Sequence, residues 1–396
     1  MLTSACTSST PDSSSSSSSP SPSPTSSSGV AAKYSLGHFP DVPKASLSDP
    51  TTSALQAVLD AAVKQDGLPG VTATVLVAGG GAWSGAAGTA DGVHPVKVRS
   101  QFGIASITKM VIAAEIMRLS EEGKLRLSDP VSVHLPPGFH FDTNGATIEN
   151  LLSMESGIPD PALSETADAV QADPLRAWTA REVLASVPSY RSTPGDHFVY
   201  EDANYMLLGL VIEETTGMSV AAALRSHILA DPRLSSMVYQ PEERPKGPLA
   251  LPFLGGHVRP NIIEVGGGYL PTKSQASDGN GSGCMASDSG ALALWGYLLF
   301  GRHLLSEQSL RAMTDFGSGA AYDGYGLGVF DHTADLREVF GVPAIGHGGR
   351  DDGGYAAGLS VLPSEGIVIS LMINTEGDPG AVVVRLAQTL ASSLER

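Results

Sequence analysis

Ser106 and Lys109 stand three residues apart at the head of a long apolar stretch, Ile107 to Leu119. In a helix that spacing places both side chains on one face, where an amine can take the proton of a hydroxyl. This is the minimum apparatus for carrying an acyl group on serine with lysine in place of a histidine–aspartate pair. Ser-x-x-Lys is short and arises by chance in a serine-rich chain, so its weight comes from its surroundings. The stretch is apolar nearly all round, broken by Thr108, Lys109, Glu115 and Arg118, and reads as a helix buried on most sides. Gly123 and Ser128-Asp129-Pro130 stop it. A lysine inside such a helix is costly unless it is paired or does chemistry.

Two further constellations follow in order. One is Pro194-Gly195-x-x-Phe198-x-Tyr200-Glu201-Asp202-x-Asn204-Tyr205, ahead of a helical pattern over 204–216; the other is Gly346-His347-Gly348-Gly349. With Phe102-x-x-Ala105-Ser106-x-Thr108-Lys109 they resemble the three motifs of the serine β-lactamase and penicillin-binding-protein family. The resemblance is to its class C branch, which also holds D,D-carboxypeptidases, D-amino-acid peptidases and esterases. Leu125 to Pro130, Ile148 to Leu152 with Ser156-Gly157-Ile158, Tyr325 to Gly328 and Asn374 resemble further landmarks, so the likeness runs from about residue 48 to the C-terminus.

The resemblance implies an acyl-enzyme at Ser106, with Lys109 activating the hydroxyl and Tyr200 as the second proton carrier. It implies an oxyanion hole from the backbone N–H groups of Ser106 and Arg350, and substrate contacts from Asp202, His347, Gly348 and Gly349. To serve as a base, Lys109 must fall toward neutrality in a desolvated setting or beside another cation. Asp202 stands where the family most often has Asn; it keeps an acceptor oxygen and loses the amide donors, and as a counter-ion it would raise the Lys109 amine. The usual third motif, Lys-Thr-Gly, cannot occur because no lysine follows Lys273. His347 takes its place, and an accessible histidine titrates near neutrality, between about pH 6 and 7. Arg350 is expected to pair with Asp351 or Asp352 at the surface, or else to bind a substrate carboxylate.

The elements that must position these residues are legible in outline. Helical periodicity runs over 53–65; strands are expected at 71–78 and 82–88, joined by a hairpin turn at Gly79-Gly80-Gly81. Later strands are expected at 324–330, 355–362 and 367–373, with a last helix over 380–394. Strands early and late with helices between imply an α/β (α+β) fold: an antiparallel sheet flanked by helices, with a mainly helical insertion over about 130–290. Ser287-Asp288-Ser289-Gly290 reads as a helix N-cap, Cys284 as a small packed residue, and no Gly-x-Ser-x-Gly elbow occurs.

Composition narrows the function classes. A formal charge of −17 without a basic run argues against nucleic-acid binding, which needs clustered Lys and Arg. No apolar stretch is long enough to span a bilayer as a helix. Two cysteines and no His-Glu-x-x-His argue against a disulfide framework or a metal site, and no cofactor is expected. Residues 1–35 form a Ser/Pro-rich tail that reads as a disordered spacer, ahead of a domain over 40–396. Leu2-Thr3-Ser4-Ala5-Cys6 resembles the end of a bacterial lipoprotein signal, which makes Cys6 a lipidation candidate and the protein extracytoplasmic, secreted or tethered at the cell surface. The expected partner is a small-molecule or peptide acyl substrate: an ester, a D-amino-acid peptide or a β-lactam. The rival reading is a non-catalytic or slowly acylated binding protein of the same fold.

Overall fold

The computed structural model describes residues 36–161, 163–189, 191–258, 267–316 and 324–394, which belong to one compact unit. Cys6 lies outside them. The central sheet is antiparallel throughout. Its strands are β1 (Gly70–Val77), β2 (Gly81–Gly88), β3 (Phe330–Asp331), β4 (Ile345–Asp351), β5 (Tyr355–Leu362) and β6 (Ile367–Ile373), in the order β2-β1-β6-β5-β4-β3. Chain ends therefore meet in the middle of the sheet, where β1 pairs with β6.

Every residue of β1, β5 and β6 is buried, as strands covered on both faces must be. One face is covered by helices α1 (Asp49–Lys64) and α6 (Gly380–Leu394), with α5 (Thr333–Phe340) packed beside α6. Leu55, Leu59, Leu386 and Leu390 interlock there with Val75, Ile369 and Leu371. The other face carries α2 (Ile107–Glu121) and α4 (Ser289–Phe300), where Trp295 and Tyr297 are fully buried. Burying each large apolar side chain contributes about 1.5–3 kcal/mol. Two continuous cores on opposite faces hold the sheet as a rigid slab.

Between α2 and α4 the chain leaves the sheet. Short helices at Ile148–Leu152, Leu163–Ala172 and Ala180–Leu184 lead to α3 (Ala203–Thr216), followed by Val220–Ser226 and Lys273–Gly283. A small three-stranded sheet, Phe102–Gly103 with Met285–Ser287 and Val238–Tyr239, ties this region to the start of α2. Both α3 and Lys273–Gly283 pack on α2, which makes α2 the shared spine.

Most of the expected elements form. The helix expected over 53–65 starts earlier, at Asp49, because Pro50 suits the first turn and Asp49 its dipole. Gly79, at φ +71°, makes the β1–β2 turn. The strand expected over 324–330 does not form. Gly324 and Gly328 have positive φ, the Gly326 N–H bonds back to the Val329 carbonyl, and only Phe330–Asp331 joins the sheet. Glycines in left-handed backbone break the alternation that the apolar residues suggest. Cys284 is buried, and burial pushes its thiol well up, which suits a packed residue.

Asp288 caps α4, its carboxylate accepting from the Ala291 N–H at 2.8 Å. Asp288→Ala is expected to lower stability by about 1 kcal/mol through this lost cap. Urea unfolding checks it: the midpoint should fall while the denaturant slope stays constant.

Candidate active site

Ser106 occupies the N-cap position of α2 but makes no capping hydrogen bond, which leaves its Oγ available. Ala105 before it is held at φ +44°, a left-handed conformation that is strained for any residue with a Cβ. This turn lifts the serine out of the strand and sets it at the positive end of the helix.

Lys109 follows one turn later, fully buried. Its Nζ donates to Ser106 Oγ at 3.1 Å and to the Ser282 carbonyl at 2.9 Å, and pairs with Asp202 Oδ1 at 2.6 Å. It also lies 4.9 Å from the centre of the Tyr200 ring. Burial alone would push the amine down, but Asp202 and the Tyr200 hydroxyl outweigh it, and the amine stands above the usual lysine range. The condition for acting as a base is therefore not met, and the alternative set out from sequence, Asp202 as a counter-ion that raises the amine, is the one the geometry carries, with all three donors of Lys109 committed. Asp202 is the counter-ion. It occupies the N-cap position of α3 without capping it and gives its carboxylate to the lysine instead.

Tyr200 stacks on Phe330 and meets Tyr325 edge-on, which fixes its ring over Lys109. His347 borders the same cluster, 5.0 Å from Phe330 and 6.3 Å from Tyr200 between ring centres. It is 1% exposed, and its Nδ1 bonds the Gly348 carbonyl at 2.5 Å. A carbonyl only accepts, so the proton sits on Nδ1; Nε2 is left as a bare, buried acceptor without a partner. Burial first, and then the charge of Lys109, push this histidine down to about 3. The expected ionisation near pH 6 to 7 is corrected on that ground.

Arg350 lies four residues from Gly346 along β4. The His332 N–H bonds the Ala344 carbonyl across the β3 edge, and strand alternation then turns the N–H groups of Gly346, Gly348 and Arg350 toward that side. Because β3 pairs only with Ile345 and Gly346, the Arg350 N–H faces the site. Gly349 makes the approach: a Cβ there would lie 2.1 Å from the Ile104 carbonyl oxygen and 3.2 Å from the Ser106 nitrogen. The two N–H groups expected to hold an oxyanion thus border one gap beside Ser106 Oγ. The expected surface pair of Arg350 with Asp351 or Asp352 does not form. Arg350 is exposed and makes no ion pair, while Asp351 accepts from the Tyr355 N–H at 3.1 Å.

Two cavities meet at Ser106 and Arg350. The first, of 650 Å³, is bordered by Tyr200, Phe330, His347 and Gly348 and continues over β4. The second, of 280 Å³, is bordered by Asp202, Asp278, Asp351 and Asp352. Asp278 Oδ1 has no hydrogen-bond partner, and burial pushes its carboxyl up to about 6. Burial also raises Asp351 to about 7 and, with Asp202 close by, Asp160 to about 7. Ser282 and Asp278 were not singled out from sequence. A backbone carbonyl leaves no trace in residue type, and Asp278 sits in a Gly/Ser-rich run that reads as loop.

The family model Beta-lactamase matches residues 55–392. The chain belongs to this family. Among curated relatives it is 36% identical over 134 residues to Protein flp of Staphylococcus aureus (strain MW2), covering 33% of this chain and 26% of the relative. It is 34% identical over 145 residues to the putative penicillin-binding protein PbpX of Bacillus subtilis, covering 36% and 34%. The matches thus span about a quarter to a third of those relatives. The D-stereospecific amidohydrolase from Streptomyces sp. superposes with a TM-score of 0.69 at 25% identity, over 84% of this chain and 97% of that one. The D-amino acid amidase of Ochrobactrum anthropi SV3, complexed with L-phenylalanine, superposes at 0.73 with 22% identity, over 87% and 100%. Family membership with the site's geometry supports serine acyl-hydrolase chemistry in general.

Two outcomes are expected. Gly349→Ala forces β4 away from Ser106 and should lower kcat/KM at least a hundredfold, with circular dichroism unchanged. Asp278 binds its proton more tightly folded than unfolded, so its contribution to stability is present below about pH 4 and is lost as pH rises through about 6. In calorimetry, the Tm of Asp278→Asn should match the parent near about pH 3 and exceed it near about pH 7.5.

Proposed function

We propose that this family member is a serine amidohydrolase and esterase acting on small D-aminoacyl amides, esters or short peptides with a free ammonium group. The observation that carries this reading is the acidic cavity beside the nucleophile. Asp202, Asp278, Asp351 and Asp352 border it against Arg350, the one cation among the described residues that line it, and one buried carboxylate oxygen there lacks a partner. A substrate ammonium would supply that partner, whereas an acyl group bearing a carboxylate would be repelled. The named substrates of the amidase neighbours point the same way.

In this reading Ser106 Oγ attacks the carbonyl, and the oxyanion is held by the Ser106 and Arg350 N–H groups. With Lys109 saturated as an ammonium, Tyr200 is the remaining proton carrier between Oγ and the leaving atom. Lys109 holds Oγ in place and, beneath the Tyr200 ring, offsets the negative charge that develops. Water then attacks the acyl-enzyme by the reverse route. The Lys109–Asp202 pair also supports the second reading, a slowly acylated penicillin-binding protein, because a saturated ammonium cannot accept a proton. The N-terminal Cys6 remains, in the same proposal, the lipid attachment point of an extracytoplasmic protein.

Intact-protein mass followed over time separates these readings. D-Phenylalanine amide, its N-acetyl derivative, benzylpenicillin and a nitrophenyl ester are each mixed with the protein and with Ser106→Ala. A Ser106-dependent adduct that forms and clears with release of D-phenylalanine is expected, with kcat/KM at least tenfold lower for the N-acetyl substrate. A persistent penicilloyl adduct without amide turnover would establish the binding-protein reading instead.

A further inference from the structure

The larger cavity does not end at the catalytic cluster. From Tyr200 and Phe330 it passes over the free edge of β4 onto the outer face of the sheet, beneath α5 and α6. Its floor there is bare backbone: Gly348 and Gly358 are direct cross-strand partners. A Cβ on Gly348 would meet nothing nearer than 4.0 Å, and one on Gly358 would touch Val383 at 3.6 Å. Leu336, Val383 and Val384 form the walls. Any larger residue pair at those two glycines would fill the space, as it does elsewhere along this tightly packed sheet.

We infer that this outer cavity is the leaving-group subsite and that its occupant is an apolar, uncharged alcohol or amine moiety. The direction follows from Tyr200. The leaving atom must receive a proton, and Tyr200 borders this cavity and not the acidic one, which places the leaving group here and the acyl group on the other side. The chemistry follows from the walls. They are mainly aliphatic, with His332 and Ser360, 3.4 Å apart, as polar exceptions, and the carboxylate of Asp378 accepts from the Gly380 N–H and would repel a carboxylate. Arg350, like Ser106, borders both cavities. His347, at the position where a cation is usual, is buried, with Nδ1 bound to the Gly348 carbonyl and Nε2 enclosed by protein, and brings no charge to the cavity. A volume of 650 Å³ is within the range of sites that enclose a drug-sized ligand, far more than ammonia or methanol needs.

The inference rests on the acyl-transfer reading above, and the test separates the two. Ethyl, octyl and 7-carboxyheptyl esters of D-phenylalanine are compared by kcat/KM. The octyl ester should exceed the ethyl ester at least tenfold, since each buried methylene is worth roughly fourfold, and should exceed the carboxyheptyl ester by a similar factor. Val384→Phe narrows the cavity from α6 and should bring the octyl-to-ethyl ratio to within about threefold of unity. Equal rates for octyl and ethyl esters, a preference for the carboxylate, or an unchanged ratio in Val384→Phe overturns the inference. If no ester turns over, the acyl-transfer reading fails. Calorimetric titration of Ser106→Ala with the same three esters then decides the subsite alone: octyl binding at least tenfold tighter than ethyl, and lost with Val384→Phe, sustains it, and equal affinities reject it.

Discussion

One buried ammonium organises the site. Taking a lysine charge out of water costs several kcal/mol, and the cost is offset only when every donor finds an acceptor in good geometry. Lys109 finds three, and they come from three separate parts of the chain: Ser106 on its own helix, Asp202 at the head of α3, and the Ser282 carbonyl after a left-handed kink at Asn280. The spine helix, the helical region and the turn before α4 must therefore assemble in one register. A fold that misplaced any of them would leave an unpaired charge in its core. The same constraint that specifies the packing fixes the Ser106 hydroxyl.

The backbone of β4 supplies what side chains cannot. Gly349 lets the strand approach within contact of Ile104 and Ser106, so that two N–H groups border one gap. One residue earlier, Gly348 faces the opposite side of the sheet and leaves it open. Because successive residues of a strand alternate faces, neighbouring glycines serve two unrelated needs: close approach inside and free volume outside. An edge strand is the natural place for both, since its outward N–H groups have no strand to pair with.

Charge is distributed unevenly around Ser106. Carboxylates crowd one side, raised by burial and by one another, whereas the other side is mainly apolar, lined by Phe330, Leu336, Val383 and Val384 with the buried His347 imidazole. Asp278 is the clearest local conflict, a partly buried carboxylate with an unpartnered oxygen. Such a group disfavours the folded state above its folded pKa, and folds tolerate groups of this kind chiefly at sites where a ligand completes them.

Residue type and order were enough to determine the fold class and to single out Ser106 and Lys109 as neighbours on one helix face, because three motifs and the alternation of β1, β2, β5 and β6 are local patterns. They were enough, too, for the caps at Asp288 and the turn at Gly79, where the chemistry depends on a few adjacent residues. Local patterns could not decide protonation. Lys109 and His347 are ordinary titrating residues in sequence, and only burial, with Asp202 at 2.6 Å from one and an aromatic cluster around the other, makes the first an ammonium and the second a neutral acceptor. Nor could they show the Ser282 carbonyl, the unpaired Asp278 oxygen or the cavity over Gly348 and Gly358. Those arise between segments tens to hundreds of residues apart, and the energy of a buried charge or an empty volume depends on what the fold brings around it.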